Sequence, residues 1–167
     1  MNPLQLVELL RGHTNYIQTH NYPDPDAVAS AFGLQYFLKQ HGVHAKICYE
    51  GKVENLSTKK MFEVFQIEVL PADQIGDMTE KDYIVAVDSQ KYNANLTDLV
   101  GNEVACIDHH PTFIECSSYR YRDIRKAGAC STLIAQYFYH TDTPLNPTVA
   151  AALAYGIKVD KSEAKRS

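Results

Sequence analysis

A chain of 167 residues is long enough to bury one real core and too short for two full-sized domains. With 45% hydrophobic and 22% charged residues it has the composition of a globular domain, which excludes extended disorder. The formal net charge of −4 argues against non-specific binding of long nucleic acid, which depends on a strongly basic face; a small phosphorylated ligand stays open, because metal ions can meet its charge locally.

In chain order, Leu4, Val7 and Leu10 recur every three residues before Gly12, which predicts a short helix over residues 3–12. "TNYIQTH" reads as a strand ending at His20. The stretch "HNYPDPDAVAS" (20–30) follows. From Asp26, a capping type of residue, Val28, Ala31, Leu34 and Leu38 recur at three or four until His41-Gly42, the pattern of a helix. "VHAKICY" predicts the next strand, and "TKKMFEVFQI" a helix with Met61, Phe62 and Phe65 inward, or else a loop lying on the sheet. "YIVAVD" (83–88) and "EVACID" (103–108) are β-rich runs that each end in an aspartate, the second followed by His109 and His110. "YRYRDI" is a further strand, "GACSTLIAQYFYH" opens a helix, and "NPTVAAALAYGIKVD" is a last helix with Asn146 as cap and Pro147 at its first position.

Cys48, Cys106, Cys116 and Cys130 form no CxxC pair and no Cys/His zinc spacing, so they read as reduced thiols. No apolar run is long enough to span a bilayer and the first residues lack a signal-like core, which predicts a soluble cytoplasmic chain without a membrane partner.

Strands alternating with helices, and running nearly all-apolar, predict an α/β fold: a mostly parallel sheet with helices on both faces. Ligands of such sheets bind outside the carboxyl ends of the strands. His20, Asp88, Asp108, His109 and His110 all fall at predicted strand ends, so one edge of the sheet collects them. Acids crowded there repel one another unless a cation neutralises them, and carboxylate oxygens mixed with imidazole suit Mn²⁺ or Mg²⁺ better than a structural zinc. "PDPD" alone is the sequence of a turn with a helix cap; the histidine before it and the distant Asp-His-His turn the balance toward a metal. Adjacent histidines point to opposite sides of the chain, so one can bind metal while the other faces a ligand.

His20-Asn21-Tyr22-Pro23-Asp24-Pro25-Asp26, Asp88 in "IVAVDS", Asp108-His109-His110, "KAGACST" and "YGIKVD" together resemble the ordered motifs of the DHH phosphoesterase superfamily. That superfamily has a Rossmann-like catalytic domain, and it includes RecJ-like exonucleases, oligoribonucleases that also act on 3′-phosphoadenosine 5′-phosphate, cyclic-dinucleotide phosphodiesterases and family II inorganic pyrophosphatases. The Pro-Asp-Pro-Asp form is most similar to the oligoribonuclease and phosphatase branch. The resemblance implies two Mn²⁺ ions, one on His20 and Asp24, the other on Asp26, His109 and Asp160, with Asp88 bridging them. His110 would contact the scissile phosphate or protonate the leaving group, and Asp108 would support a histidine. Val159 and Lys161 depart from the family's Thr-Asp-Thr-like context around Asp160.

Arg125 and Lys126 stand beside a Gly-led helix start, where backbone N–H groups favour phosphate, and Ser131 is expected to contribute there. Arg120 and Arg122 share one face of an alternating strand and read as a solvated edge. The expected organisation is a catalytic domain over 1–160 and a polar tail over 161–167, without the Gly-rich second domain that family enzymes use to grip substrate. The implied activity is hydrolysis of short oligonucleotides or nucleoside bisphosphates. The alternatives are inorganic pyrophosphatase and a nucleotide- or metal-binding regulatory module, and a homodimer through the opening helix or a sheet edge is the expected assembly.

Overall fold

The computed structural model describes residues 2–166, with side chains described as far as Asp160; the side chains of the 161–167 tail lie outside the described residues. The elements run α1 (Pro3–Leu10), β1 (Asn15–Gln18), α2 (Pro25–Gln40), β2 (Lys46–Tyr49), α3 (Leu56–Phe65), β3 (Val69–Pro71), a 3-10 turn (Ala72–Gln74), β4 (Tyr83–Val87), β5 (Asn102–Asp108), β6 (Tyr121–Ile124), α4 (Cys130–His140) and α5 (Pro147–Arg166). The six strands form one sheet in the order β3-β2-β1-β4-β5-β6, and every pairing is parallel. The chain works outward from β1 to β3, then returns to β4 on the other side of β1. That reversal opens a crevice at the carboxyl ends of β1 and β4, the place where sheets of this order bind ligands.

Both faces of the sheet are covered, but unequally. Ile17, Ile47, Val85 and Ile107 lie in one core cluster with Leu6 and Leu10 of α1, Leu34 and Phe37 of α2, Met61 of α3, Ile134 of α4 and Leu153 of α5. The five α-helices therefore gather on one face. Opposite them, Tyr16, Cys48 and Ile84 meet Ile75, Met78 and Leu99, while Ala86 and Cys106 meet Leu96 and Tyr119. Irregular chain and the 3-10 turn make that second layer, where helices were expected. The crossovers from β4 to β5 and from β5 to β6 are too rich in Asn, Pro, Gly and Ser for a stable helix.

Local chemistry explains most element ends. Asn2, Asn55 and Asn146 cap α1, α3 and α5 by accepting from Leu4 N, Ser57 N and Val149 N; the cap at Asn55 settles residues 56–65 as helix rather than loop. Asp24, not Asp26, caps α2, accepting from Ala27 N at 2.9 Å. Pro25 then occupies the first helical position and Asp26 lies one residue inside. The edge strand β3, only three residues and ending in Pro71, has too little pattern to be read from sequence.

Helix α5 packs most intimately on α2. A Cβ at Gly156 would fall 2.7 Å from Ala29 Cβ, 2.7 Å from Ser131 Oγ and 3.3 Å from Pro25 O. Alanine gains about 1 kcal/mol over glycine in helix propensity, but here it forces two helices apart, and overpacking of this kind costs about 1–3 kcal/mol. Gly156→Ala is expected to lower the urea midpoint; a midpoint at or above that of the wild type would remove the tight contact from the account.

Candidate metal centre and active site

Three strand ends deliver the site. His20 follows β1, Asp88 is the first residue after β4, and Asp108 ends β5 with His109 and His110 beyond it. Asp88 leaves the sheet at φ 61, a left-handed conformation that is uncommon for a residue with a side chain, and its N–H donates to Ile107 O at 3.0 Å. That turn presents its carboxylate between two histidines: Oδ1 lies 3.0 Å from His109 Nε2 and Oδ2 3.5 Å from His20 Nε2. His20 Nε2 is also 3.6 Å from Asp24 Oδ1, and His109 Nε2 is 3.6 Å from Asp26 Oδ2.

Ligand atoms of His20, Asp24 and Asp88 lie within 4.8 Å of one another, as do those of Asp26, His109 and Asp160. Those of Asp88, Asp108, His109 and His110 do so as well. All six residues expected to hold metal are thus brought to one place, in the same two sets, with Asp88 touching both. Carboxylate oxygen and imidazole nitrogen are the donors that Mn²⁺ accepts.

Each histidine is aimed by its other nitrogen. His20 Nδ1–H donates to Asn21 O at 2.9 Å and His109 Nδ1–H to Ala127 O at 3.0 Å, which leaves both Nε2 atoms for the carboxylates or a cation. His110 Nδ1–H donates to Asp108 Oδ1 at 2.7 Å, so its Nε2 is free for a ligand. The rings of His109 and His110 lie 4.2 Å apart at 45°, so they do not point to opposite sides of the chain as expected. Beyond the end of β5 the alternation of a strand no longer holds, and the two rings lie side by side while bonding different neighbours.

Asp26 has a second task. Its Oδ1 accepts from Ser131 N at 2.9 Å and Ser131 Oγ at 2.6 Å, and its Oδ2 from Cys130 N at 2.9 Å. These are first-turn donors of α4, whose own N-cap residue, Ala129, offers no side-chain bond. Asp26 on α2 therefore caps α4 across space. Ser131 is fully buried behind it, so its hydroxyl positions Asp26 and does not reach an open cleft, contrary to its expected contact with substrate.

Arg125 and Lys126 border a groove of about 550 Å³ together with His109, His110, Thr112 and Ala127. Arg125 is committed: Nε and Nη2 donate to Asp123 at 2.6 and 3.1 Å and Nη1 to Gln136 Oε1 at 2.9 Å. Lys126 is exposed and makes no ion pair among the described residues, which leaves it as the freer cation of the groove.

The segment after Asp88 was not singled out from sequence. Gln90, 3% exposed, donates to Asp108 Oδ2 at 2.9 Å and to His110 O at 3.1 Å. Asn21 N–H donates to Asn95 O at 2.7 Å, and Gln18 Nε2 to Thr97 O at 2.8 Å. Residues 89–97 thus clip the loops that carry His20 and His110. The signal was available: a run of amides and hydroxyls, "SQKYNANLT", directly behind a strand-end acid.

Burial lowers the His20 imidazole, but the facing carboxylates of Asp24 and Asp88 outweigh it and push its pKa up to about 11. His109, likewise opposed by burial, rises to about 9 through Asp88 and the Ala127 carbonyl. Burial, then the charge of Asp88, pushes Asp26 up to about 7. Asp108 stays low despite its burial, because His110 and Gln90 bond it, and that same bond raises His110. In the metal-free protein the His109 pairing is fully present below the free-imidazole pKa of 6.5 and is lost as pH rises through about 9. A divalent cation needs these nitrogens unprotonated. Mn²⁺ affinity is therefore expected to climb between pH 6.5 and 8.5, with proton release on binding that is visible as a buffer-dependent heat in calorimetry. A flat affinity would take His20 and His109 out of the ligand set.

Residues 14–157 match the model of the DHH family, N-terminal domain. The chain belongs to the DHH family. This DHH chain is 31% identical over 151 residues to an uncharacterized protein of Methanocaldococcus jannaschii, a match covering 90% of this chain and 31% of that one. It is 26% identical over 125 residues to a manganese-dependent inorganic pyrophosphatase of the same organism, covering 74% and 38%. An exopolyphosphatase-related protein from Bacteroides fragilis has the same fold, with TM-score 0.69 and 19% identity over 95% of this chain and 48% of that one. The DHH chain thus spans a third to a half of the length of these proteins. No helix among the described residues is long and apolar enough to cross a membrane.

Proposed function

We propose that this DHH chain carries the metal-binding and catalytic residues of a Mn²⁺-dependent phosphoesterase that hydrolyses small phosphorylated substrates, short oligonucleotides or nucleoside bisphosphates. The carrying observation is Asp88, set between His20 with Asp24 on one side and His109 with Asp26 on the other. His20, Asp24 and Asp88 would hold one cation, and Asp26, His109, Asp160 and Asp88 a second, Mn²⁺ first and Mg²⁺ as substitute. Bound there, such ions supply positive charge to the phosphoryl oxygens and lower the pKa of a water to near neutrality.

The remaining work belongs to side chains. Lys126 binds a non-bridging oxygen of a phosphate in the groove, beside an Arg125 whose guanidinium is held by Asp123 and Gln136. His110, whose pKa is raised by its bond to Asp108, gives its Nε2 proton to the leaving oxygen as water adds to phosphorus and the P–O ester bond breaks. Asp108 stabilises the imidazolium, and Gln90 fixes both partners.

A second reading, hydrolysis of inorganic pyrophosphate, is favoured by the manganese-dependent pyrophosphatase relative. The test offers the full-length, Mn²⁺-loaded protein a 5′-phosphorylated dinucleotide, a nucleoside 3′,5′-bisphosphate and pyrophosphate. Turnover of either nucleotide supports the first reading. Turnover of pyrophosphate alone replaces it with the second, and Mn²⁺ binding without any turnover replaces both with a regulatory module.

A further inference from the structure

The carboxyl edge of the sheet has two wings around the metal ligands. On the β5–β6 side lies the groove of Arg125 and Lys126. On the β2–β3 side lies another, of about 460 Å³, lined by Tyr22, Tyr49, Glu50, Lys52, Glu54 and Asp73. Three carboxylates face one amine there, the reverse of the first wing's balance.

Tyr22 sits in the first motif itself, between His20 and Asp24, at φ 55 with its side chain 59% exposed. A left-handed, solvent-facing tyrosine is an unusual use of a position where a smaller residue makes the same turn at less strain. Its N–H is pinned to Glu50 O at 3.3 Å, and its ring lies on Gly51. A Cβ there would fall 3.1–3.3 Å from three ring atoms, and Gly51 is itself left-handed at φ 86. Two left-handed residues thus meet so that one ring face is supported and the other is left open beside the groove, one residue from the Pro23-Asp24 turn that carries a metal ligand.

We propose that this wing is a nucleobase subsite: the substrate's base stacks on Tyr22 with its N–H donors toward Glu50, Glu54 and Asp73, while its phosphate lies at the metal ligands. The inference rests on the phosphoesterase reading and names its substrate class, a nucleoside phosphate rather than pyrophosphate. An aromatic face binds any base through stacking. Carboxylates accept only from donors, so a guanine edge suits them and a second phosphate is repelled. Charge thus orients the substrate, base toward β2–β3 and phosphate toward β5–β6.

The experiment is calorimetry on the full-length, Mn²⁺-loaded protein with guanosine 5′-monophosphate, ribose 5-phosphate and pyrophosphate. Guanosine 5′-monophosphate is expected to bind about tenfold or more tighter than ribose 5-phosphate. Tyr22→Ala should erase that ratio and leave ribose 5-phosphate unchanged, whereas Tyr22→Phe should keep it. Glu54→Lys, an exposed change that the fold tolerates, should tighten pyrophosphate. Equal binding of the two monophosphates by the wild type overturns the subsite. So does an equal loss of both in Tyr22→Ala, which would make Tyr22 a support of the His20–Asp24 loop only, and so does pyrophosphate unmoved by Glu54→Lys. The hydrolase reading fails separately, by absence of turnover, and leaves these binding ratios intact.

Discussion

Asp88→Ala is expected to abolish both the response to Mn²⁺ and the hydrolysis of phosphate esters. At a hundredfold excess of Mn²⁺ over its Kd the wild type gains about 2.7 kcal/mol, a rise in Tm of roughly 5–10 °C for a domain of this size. Among the described residues Asp88 is the one carboxylate placed against both His20 and His109, so its loss opens both ligand sets at once. The hydrolytic rate should fall by about three orders of magnitude or more, since the activated water and the charge at phosphorus go together. Thermal melts with and without Mn²⁺ read the first effect and a phosphodiester assay the second. A full Mn²⁺ shift in the variant would place the metal elsewhere.

Asp26→Ala should show the second large effect, and show it without metal. Removing this carboxylate leaves Cys130 N and Ser131 N without their acceptor in a fully buried place. Loss of a helix cap costs about 0.5–2 kcal/mol, and buried unsatisfied donors about 1–3 kcal/mol more. Urea unfolding in the presence of a chelator is expected to register a loss of about 3 kcal/mol. Asp160→Ala is the contrast: burial and the charge of Asp88 raise the pKa of both aspartates, but only Asp26 accepts from the first turn of α4, so removal of Asp160 in chelator should leave stability unchanged or improve it. Equal behaviour of the two variants would refute the capping role of Asp26.

The contrast between these two aspartates marks what was legible in the sequence. Strand-end acids and histidines could be read because apolar runs stop visibly at Val87 and Ile107 and chemistry-bearing residues follow at once. The parallel sheet followed from the same runs. Asp26 was readable as a site residue but misread as the cap of its own helix. Pro25 already occupies the first helical position, so Asp24 takes the cap and Asp26 turns to a helix more than a hundred residues away. Ser131 was misplaced for the same reason, since a hydroxyl near a helix start looks alike whether it faces solvent or a buried carboxylate. Arg125 read as a free cation because nothing local reveals that Asp123 and Gln136 converge on it. The irregular second layer was invisible because its order comes from tertiary bonds such as Lys91 N–H to Tyr119 Oη, 2.8 Å, rather than from periodicity.

That irregular layer sets where the molecule yields first. The five helices share one continuous core with the sheet, whereas residues 89–97 are held by a handful of bonds from Asn21, Gln18, Ser89 and Tyr119. Segments with few buried apolar contacts open at far lower free energy than the global unfolding event. Opening of this clip frees Asn21 and Gln90, and with them the settings of His20 and His110, while the helical side stays closed. Precise ligand geometry therefore depends on a segment expected to open more easily than the helical side, and cation binding should slow amide exchange at Lys91, Leu96 and Thr97 far more than anywhere in α2 or α4.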